Sequence, residues 1–231
     1  MAAPQPSKTQ TQSPLGFLFA ALIASALLLQ ILVTVWRDGP GFDDAYMFHR
    51  YAVNLRDGLG ISWNPDGVPT YGLTSTLWVL VIVPLTYLPL GPKQVLVLAS
   101  WSTCLVALAI IYKTLRSHAR SSLLANAGIL LLIAIAPILL STSFGIQATN
   151  GMDTMLSLCA NALVVFCALR FLEAPSSVRA LGCGAAAFFA VLARPENGLC
   201  AFLVPFLIWL QSGRDRRIEH LGGVALVPAA G

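Results

Sequence analysis

The stretch VLVLASWSTCLVALAIIY, from Val95 to Tyr112, decides the class of this chain. It carries no charged side chain and is about as long as the shortest helix that reaches across the hydrocarbon core of a bilayer. Similar runs recur at Leu15–Trp36, Leu73–Leu90, Leu123–Leu140, Met155–Leu169, Leu181–Ala193 and Leu199–Leu210, all without Asp, Glu, Lys, Arg or His. Of the 231 residues 57% are hydrophobic and 10% charged, whereas a soluble domain has roughly 25% charged. Such a chain cannot cover its own surface with polar groups. The expected fold is all-α, a polytopic transmembrane helical bundle. The last two runs are short, but Gly182, Gly184 and the alanines Ala185 to Ala187 suit close helix packing inside a bundle.

Residues 1–14 are polar and read as a cytoplasmic N-terminus, and residues 15–231 as one membrane domain. The first apolar run is expected to stay as an uncleaved helix, because the small residues Ala24, Ser25 and Ala26 lie inside it, not after it. The chain stops at Gly231 within a further apolar stretch, as a chain truncated at its C-terminal end would. The five cysteines all lie inside apolar runs without metal or disulfide spacing, and His49, His118 and His220 have no ligand-like spacing. The formal net charge of +4 is dispersed over short loops, which argues against nucleic acid as a partner and makes the basic residues markers of topology.

Lys113, Arg116 and Arg120 occupy one loop, Ser141 to Thr154 carries no basic residue, and Arg170 and Arg179 occupy the next. Arg194 then stands alone before Arg214, Arg216 and Arg217. The positive-inside rule puts Ser141 to Thr154 and Arg194 to Asn197 on the extracytoplasmic side.

Polar residues concentrate in the aqueous segment 37–73. Read as a helix, Asp43 to Asp57 gathers Asp43, Met47, Arg50 and Asn54 on one face and Phe48, Tyr51 and Leu55 on another. This is the pattern of an amphipathic juxtamembrane helix. Asp43 and Asp44 suit the N-terminus of that helix as capping or dipole-complementing acids. Adjacent carboxylates are equally the groups needed for a general base or for metal ligation. Gly58 and Gly60 read as turn glycines, since the Gly-x-Gly-x-x-Gly pattern is incomplete.

Phe42-Asp43-Asp44-Ala45-Tyr46, Arg50-Tyr51-Ala52, Asn54-Leu55, Trp63-Asn64-Pro65 and Leu77-Trp78 together resemble the first outer loop of GT-C superfamily glycosyltransferases. The likeness is to the branch containing mycobacterial cell-wall arabinofuranosyltransferases. Gly151-Met152-Asp153-Thr154 is similar to that branch's Gly-x-acid-Thr motif, and Ala193-Arg194-Pro195-Glu196 to its Arg-Pro-acid motif. The sequence departs from the family at Tyr71 and Asp153, where the family often has Glu. The resemblance covers about Leu15 to Leu210, and such enzymes are usually much longer.

The resemblance implies a GT-C type bundle in the cell membrane, with its catalytic loop on the extracytoplasmic side. It implies transfer of a sugar from a polyprenyl-phosphate donor to a glycan, lipid or protein acceptor, with inversion. Asp44, with Asp43, is the expected base, and the pair is also the candidate site for a divalent cation. Arg50, Asn54, Trp63, Asn64, Asp153, Arg194 and Glu196 are the expected substrate contacts. The residues themselves leave structural roles open: Arg194 paired with Glu196, Asp153 capping a helix from Thr154, and interface anchoring for Trp63 and Trp78. The rival classes are a non-catalytic membrane scaffold, an inactive fragment and a transporter. The transporter reading is disfavoured by the uncharged apolar runs.

With the Asp43-Asp44 loop and Ser141 to Thr154 on one side, one of the three intervening apolar runs should fail to cross. Leu73–Leu90 is the expected one, because Pro84 and Pro89 interrupt it.

Overall fold

Serine and proline set the boundaries of the helices that carry the fold. The computed structural model describes residues 43–66, 68, 72–118 and 141–211, with Ser25 and Leu28 as isolated helical positions. Apart from these two, the expected first crossing lies outside the described residues, as do residues 1–14, the run Leu123–Leu140 and everything beyond Gln211. The regular structure of the described residues is helical, with no strand.

The helices are α1 (Asp43–Arg56), α2 (Thr76–Ile82), α3 (Pro92–His118), α4 (Thr142–Thr149), α5 (Thr154–Glu173), α6 (Ser177–Ala193) and α7 (Gly198–Gln211). Ser75, Ser141 and Ser176 cap α2, α4 and α6, each accepting from a backbone N–H three residues on. Proline opens α3 at a position where its missing N–H costs nothing.

Two of these helices are long and apolar enough to cross a membrane: the Pro92–Thr114 part of α3, and α5. The 20 residues of α5 rise about 30 Å, the thickness of a hydrocarbon core. The Leu73–Leu90 run behaves differently. It forms α2 and then a 3-10 turn, Val83–Tyr87, with Pro84 near its start, and Leu88 is already extended. Those twelve helical residues rise roughly 20 Å, too little to span. The proline argument from sequence and this geometry agree.

α3 and α5 run parallel. Leu96 lies against Gly151, Ser100 Oγ donates to the Met152 carbonyl at 3.3 Å, Cys104 clusters with Met155, and Lys113 Nζ sits 5.4 Å from the Phe166 ring centroid. α6 returns antiparallel to α5, so the start of α3, the start of α5, the end of α6 and the start of α7 share one end, here the near end. Lys113, Arg170 and Arg179 belong to the far end, where Arg179 Nη1 donates to the Arg170 and Ala174 carbonyls.

α1 covers the near end with the face expected of it. Ala45, Phe48, Tyr51 and Ala52 are buried against α2 and α3, in one apolar cluster that includes Trp78, Val79 and Ile82 of α2, Leu96 and Ala99 of α3, and Ala190 and Ala193 of α6. Arg56 fixes the other end of α1 by donating from Nη1 to the Thr86 carbonyl at 2.9 Å. Trp78, expected as an interface anchor, is instead a core residue with no exposed surface. Its Nε1 donates to the Gly151 carbonyl at 3.1 Å, which satisfies the indole's polar edge where no headgroup can reach it.

Because the chain leaves α1 and re-enters at Pro92 on the same end, Asp66 and Gln94 should be accessible together. In a cysteine-free background on intact cells, Asp66→Cys and Gln94→Cys are both expected to react with an impermeant thiol reagent, and Lys113→Cys is not. Reaction at position 66 but not 94 would mean that Leu73–Leu90 crosses the membrane.

Candidate functional site

At the near end the structure brings together the three sequence motifs, which are separated by about a hundred and about forty residues of chain. Gly151 is the meeting point of the first two. Its φ is +78°, a conformation open to glycine, and a Cβ there would lie 2.7 Å from Leu96 Cβ and 3.3 Å from Ala45 Cβ. The backbone of the Gly151-Met152-Asp153 segment therefore touches α1 next to Asp44. The second and third motifs meet through Asp153 and Arg194, with Oδ2 and Nε 3.5 Å apart.

Asp43 and Asp44 stand in the first turn of α1, both exposed, where carboxylates complement the helix dipole. No group of three or more His, Cys, Asp and Glu residues suited to a metal ion occurs among the described residues. A cation held by this pair would draw its other ligands from water and substrate.

Asp153 occupies the N-cap position of α5 without making a side-chain capping bond, so the capping reading does not hold. The residue is 1% exposed, and neither carboxylate oxygen has a hydrogen-bond partner. Desolvation raises its pKa above the ordinary carboxylate value, and the Arg194 charge opposes that rise without cancelling it. Arg194 is shared, since its Nε also lies 3.0 Å from Glu196 Oε1, with Glu196 largely exposed. The Arg194–Glu196 pair expected from sequence is present. The pairing with Asp153 is what sequence reasoning missed.

Arg50 and Asn54 come together on α1, but they bind the loop that follows it. Arg50 Nε donates to the Trp63 carbonyl at 2.8 Å while its guanidinium lies 4.4 Å over the Trp63 ring. Asn54 Nδ2 donates to the Ser62 and Trp63 carbonyls at 2.8 and 3.2 Å. The Tyr51 ring packs 5.9 Å from that of Trp63. Ser62, which is fully buried, donates from Oγ to the carbonyl of Asn64, whose own side chain is exposed. Gly58 and Gly60 adopt positive φ, as expected of turn glycines. The result is a rigid aromatic shelf beside α1, with Arg50 exposed on its upper surface. His49 is half-buried on the same helix, and burial, then the Arg56 charge, holds its pKa below 6.5.

Asn197 is the second feature that sequence reasoning missed. It is buried in the 3-10 turn Pro195–Asn197 and bonded to α5 and α6. The only available signal was its place directly after the Arg-Pro-acid motif.

The described residues define an all-α class, with two helices long and apolar enough to cross a membrane and a polar junction at one end of them. Comparisons with protein-family models, curated proteins and solved structures found no match to this chain.

Two outcomes test this geometry. Gly151→Ala combines an unfavourable φ with a clash against Leu96 and is expected to destabilise the fold by roughly 2–4 kcal/mol in a denaturation measurement. For Asp153 the folded pKa is raised, so as pH rises from about 3.8 the unfolded chain releases its proton first and stability falls until the folded carboxyl also ionises. Thermal unfolding across that window should show the fall in wild type and a flatter profile in Asp153→Asn.

Proposed function

We propose that this chain is a GT-C type membrane glycosyltransferase that moves a sugar from a polyprenyl-phosphate donor to a cell-envelope glycan, lipid or protein acceptor. The observation that carries the reading is the convergence of the three motifs: Gly151 against Ala45, and Asp153 against Arg194. Motifs this far apart in sequence have no local reason to meet, and a shared substrate supplies one. They meet at the end of the apolar helices opposite Lys113, Arg170 and Arg179, which the positive-inside rule assigns to the cytoplasm. That assignment supports reading a multi-pass protein with its site on the extracytoplasmic face.

In this reading the carboxylate of Asp44, exposed in the first turn of α1, takes the proton of the acceptor hydroxyl. The acceptor oxygen bonds to the anomeric carbon as the bond from that carbon to the lipid phosphate oxygen breaks, and the configuration inverts. Arg194 offers a guanidinium that binds the lipid phosphate of the donor. Its attachment is suited to this, because the Asp153 contact is long and the Glu196 contact is exposed. The Arg50–Trp63 shelf provides an aromatic edge and a cation about two turns along α1 from the carboxylates. Adjacent Asp43 and Asp44 suit a magnesium-type ion, which binds through one or two carboxylates plus phosphate oxygens and water, and such an ion would neutralise donor phosphate.

Transfer of radiolabelled sugar from a polyprenyl-phosphate donor by the purified chain in lipid is the deciding measurement. Asp44→Asn is expected to lower turnover by about 10²-fold or more with membrane insertion unchanged, since loss of a general base acts on the chemical step. Near-wild-type turnover in both Asp44→Asn and Asp43→Asn would remove the paired-carboxylate mechanism.

A further inference from the structure

The turn that carries Arg194 is attached to the bundle by a side chain that the chemistry above does not use. Asn197 is 6% exposed and engages both its oxygen and its amide nitrogen. Oδ1 accepts from Ser157 Oγ at 2.8 Å and from Asn161 Nδ2 at 2.9 Å, which uses both lone pairs. Nδ2 donates to the Ala190 carbonyl at 3.0 Å, in the last turn of α6. That carbonyl also receives the Arg194 backbone N–H at 3.1 Å, and the Asn197 N–H returns to the Arg194 carbonyl at 3.0 Å.

Asp153, Ser157 and Asn161 follow one another at four-residue spacing and so form a single stripe along α5. The turn is docked on that stripe at two places, Arg194 on Asp153 and Asn197 on the two residues below. The lower attachment is made by neutral groups at hydrogen-bonding distance. The upper one is a long ion pair to an arginine that is one-third exposed. The lower point is the rigid one.

We propose that Asn197 is a positioning residue: by joining α5 to the end of α6 it fixes the Arg194-Pro195-Glu196 turn and presents the Arg194 guanidinium at the mouth of the site. The role requires an amide. A serine or alanine lacks the reach to meet three partners. An aspartate would set a carboxylate oxygen against the Ala190 carbonyl and would compete with Asp153 for Arg194.

The inference rests on Arg194 contacting the donor phosphate, so its test has one arm that needs activity and one that does not. In the full chain reconstituted in lipid, Asn197→Ala is expected to raise the KM for the polyprenyl-phosphate donor about tenfold while kcat stays within about twofold. A freed arginine weakens binding held equally in ground and transition states. Hydrogen exchange read by mass spectrometry should accelerate at least about tenfold at the amides of Arg194 and of residues 196 to 198, with the middle of α5 unchanged. Ser157→Ala removes one of the two donors to Oδ1 and should move both readouts the same way by less, which covers the case in which Asn197→Ala fails to fold. If wild type transfers no sugar, the glycosyltransferase reading fails and the exchange arm alone decides whether Asn197 holds the turn. An unchanged donor KM in an active protein, or unchanged exchange at Arg194 and residues 196 to 198, overturns the proposal.

Discussion

The near end is organised by how closely the Gly151 backbone approaches the side chains of Leu96 and Ala45. Without a Cβ, the segment before α5 comes within contact distance of Ala45 on α1 and Leu96 on α3 at once, and its carbonyl receives the Trp78 indole N–H. Four elements thus meet around one residue. A side chain there would force Leu96 of α3 to shift and press on Ala45 of α1. Burial of Trp78, the largest of the fully buried side chains, depends on the same contact, because an indole with an unsatisfied N–H would be costly there.

Around this apolar meeting point the polar groups divide into those that hold the structure and those left under tension. Asn54, Ser62 and Asn197 are satisfied by well-formed hydrogen bonds, and each fixes a turn. Asp153 is the opposite case. A carboxylate taken almost wholly out of water, with one guanidinium 3.5 Å away and no hydrogen bond among the described residues, is poorly compensated for its desolvation. Stability alone would favour an apolar or amide residue at that position. Buried charge that the fold does not need is a common mark of a site whose arrangement serves a ligand.

Much of the architecture was legible before any coordinates. Charge-free runs gave the apolar helices, and Pro84 gave the break that leaves α2 too short to cross, whereas the serine caps at Ser75, Ser141 and Ser176 emerged only with the structure. The apolar face of α1 followed from its periodicity, since Phe48 and Tyr51 lie one turn apart. Individual side-chain roles were harder to read. Trp78 had the composition of an interface anchor and became core, and Arg50 and Asn54 looked like ligand contacts and were found folding the shelf. In each case one side chain had several chemically adequate partners, and the choice depended on which came within reach.

By itself, the sequence determined what is encoded in short windows: helical class, apolar runs long enough to cross a membrane, the proline break after α2, turn glycines and the presence of three acidic or basic motifs. Hydrophobic spacing and prolines act over a few residues, so neighbours along the chain suffice to read them. Only the tertiary structure decided that the three motifs share one end of the bundle, that Arg194 faces Asp153 as well as Glu196, and that Asn197 joins α5 to α6. Those outcomes depend on the antiparallel return of α6 along α5 and on the seating of α1 against Gly151, which bring together groups that nothing local in the chain associates.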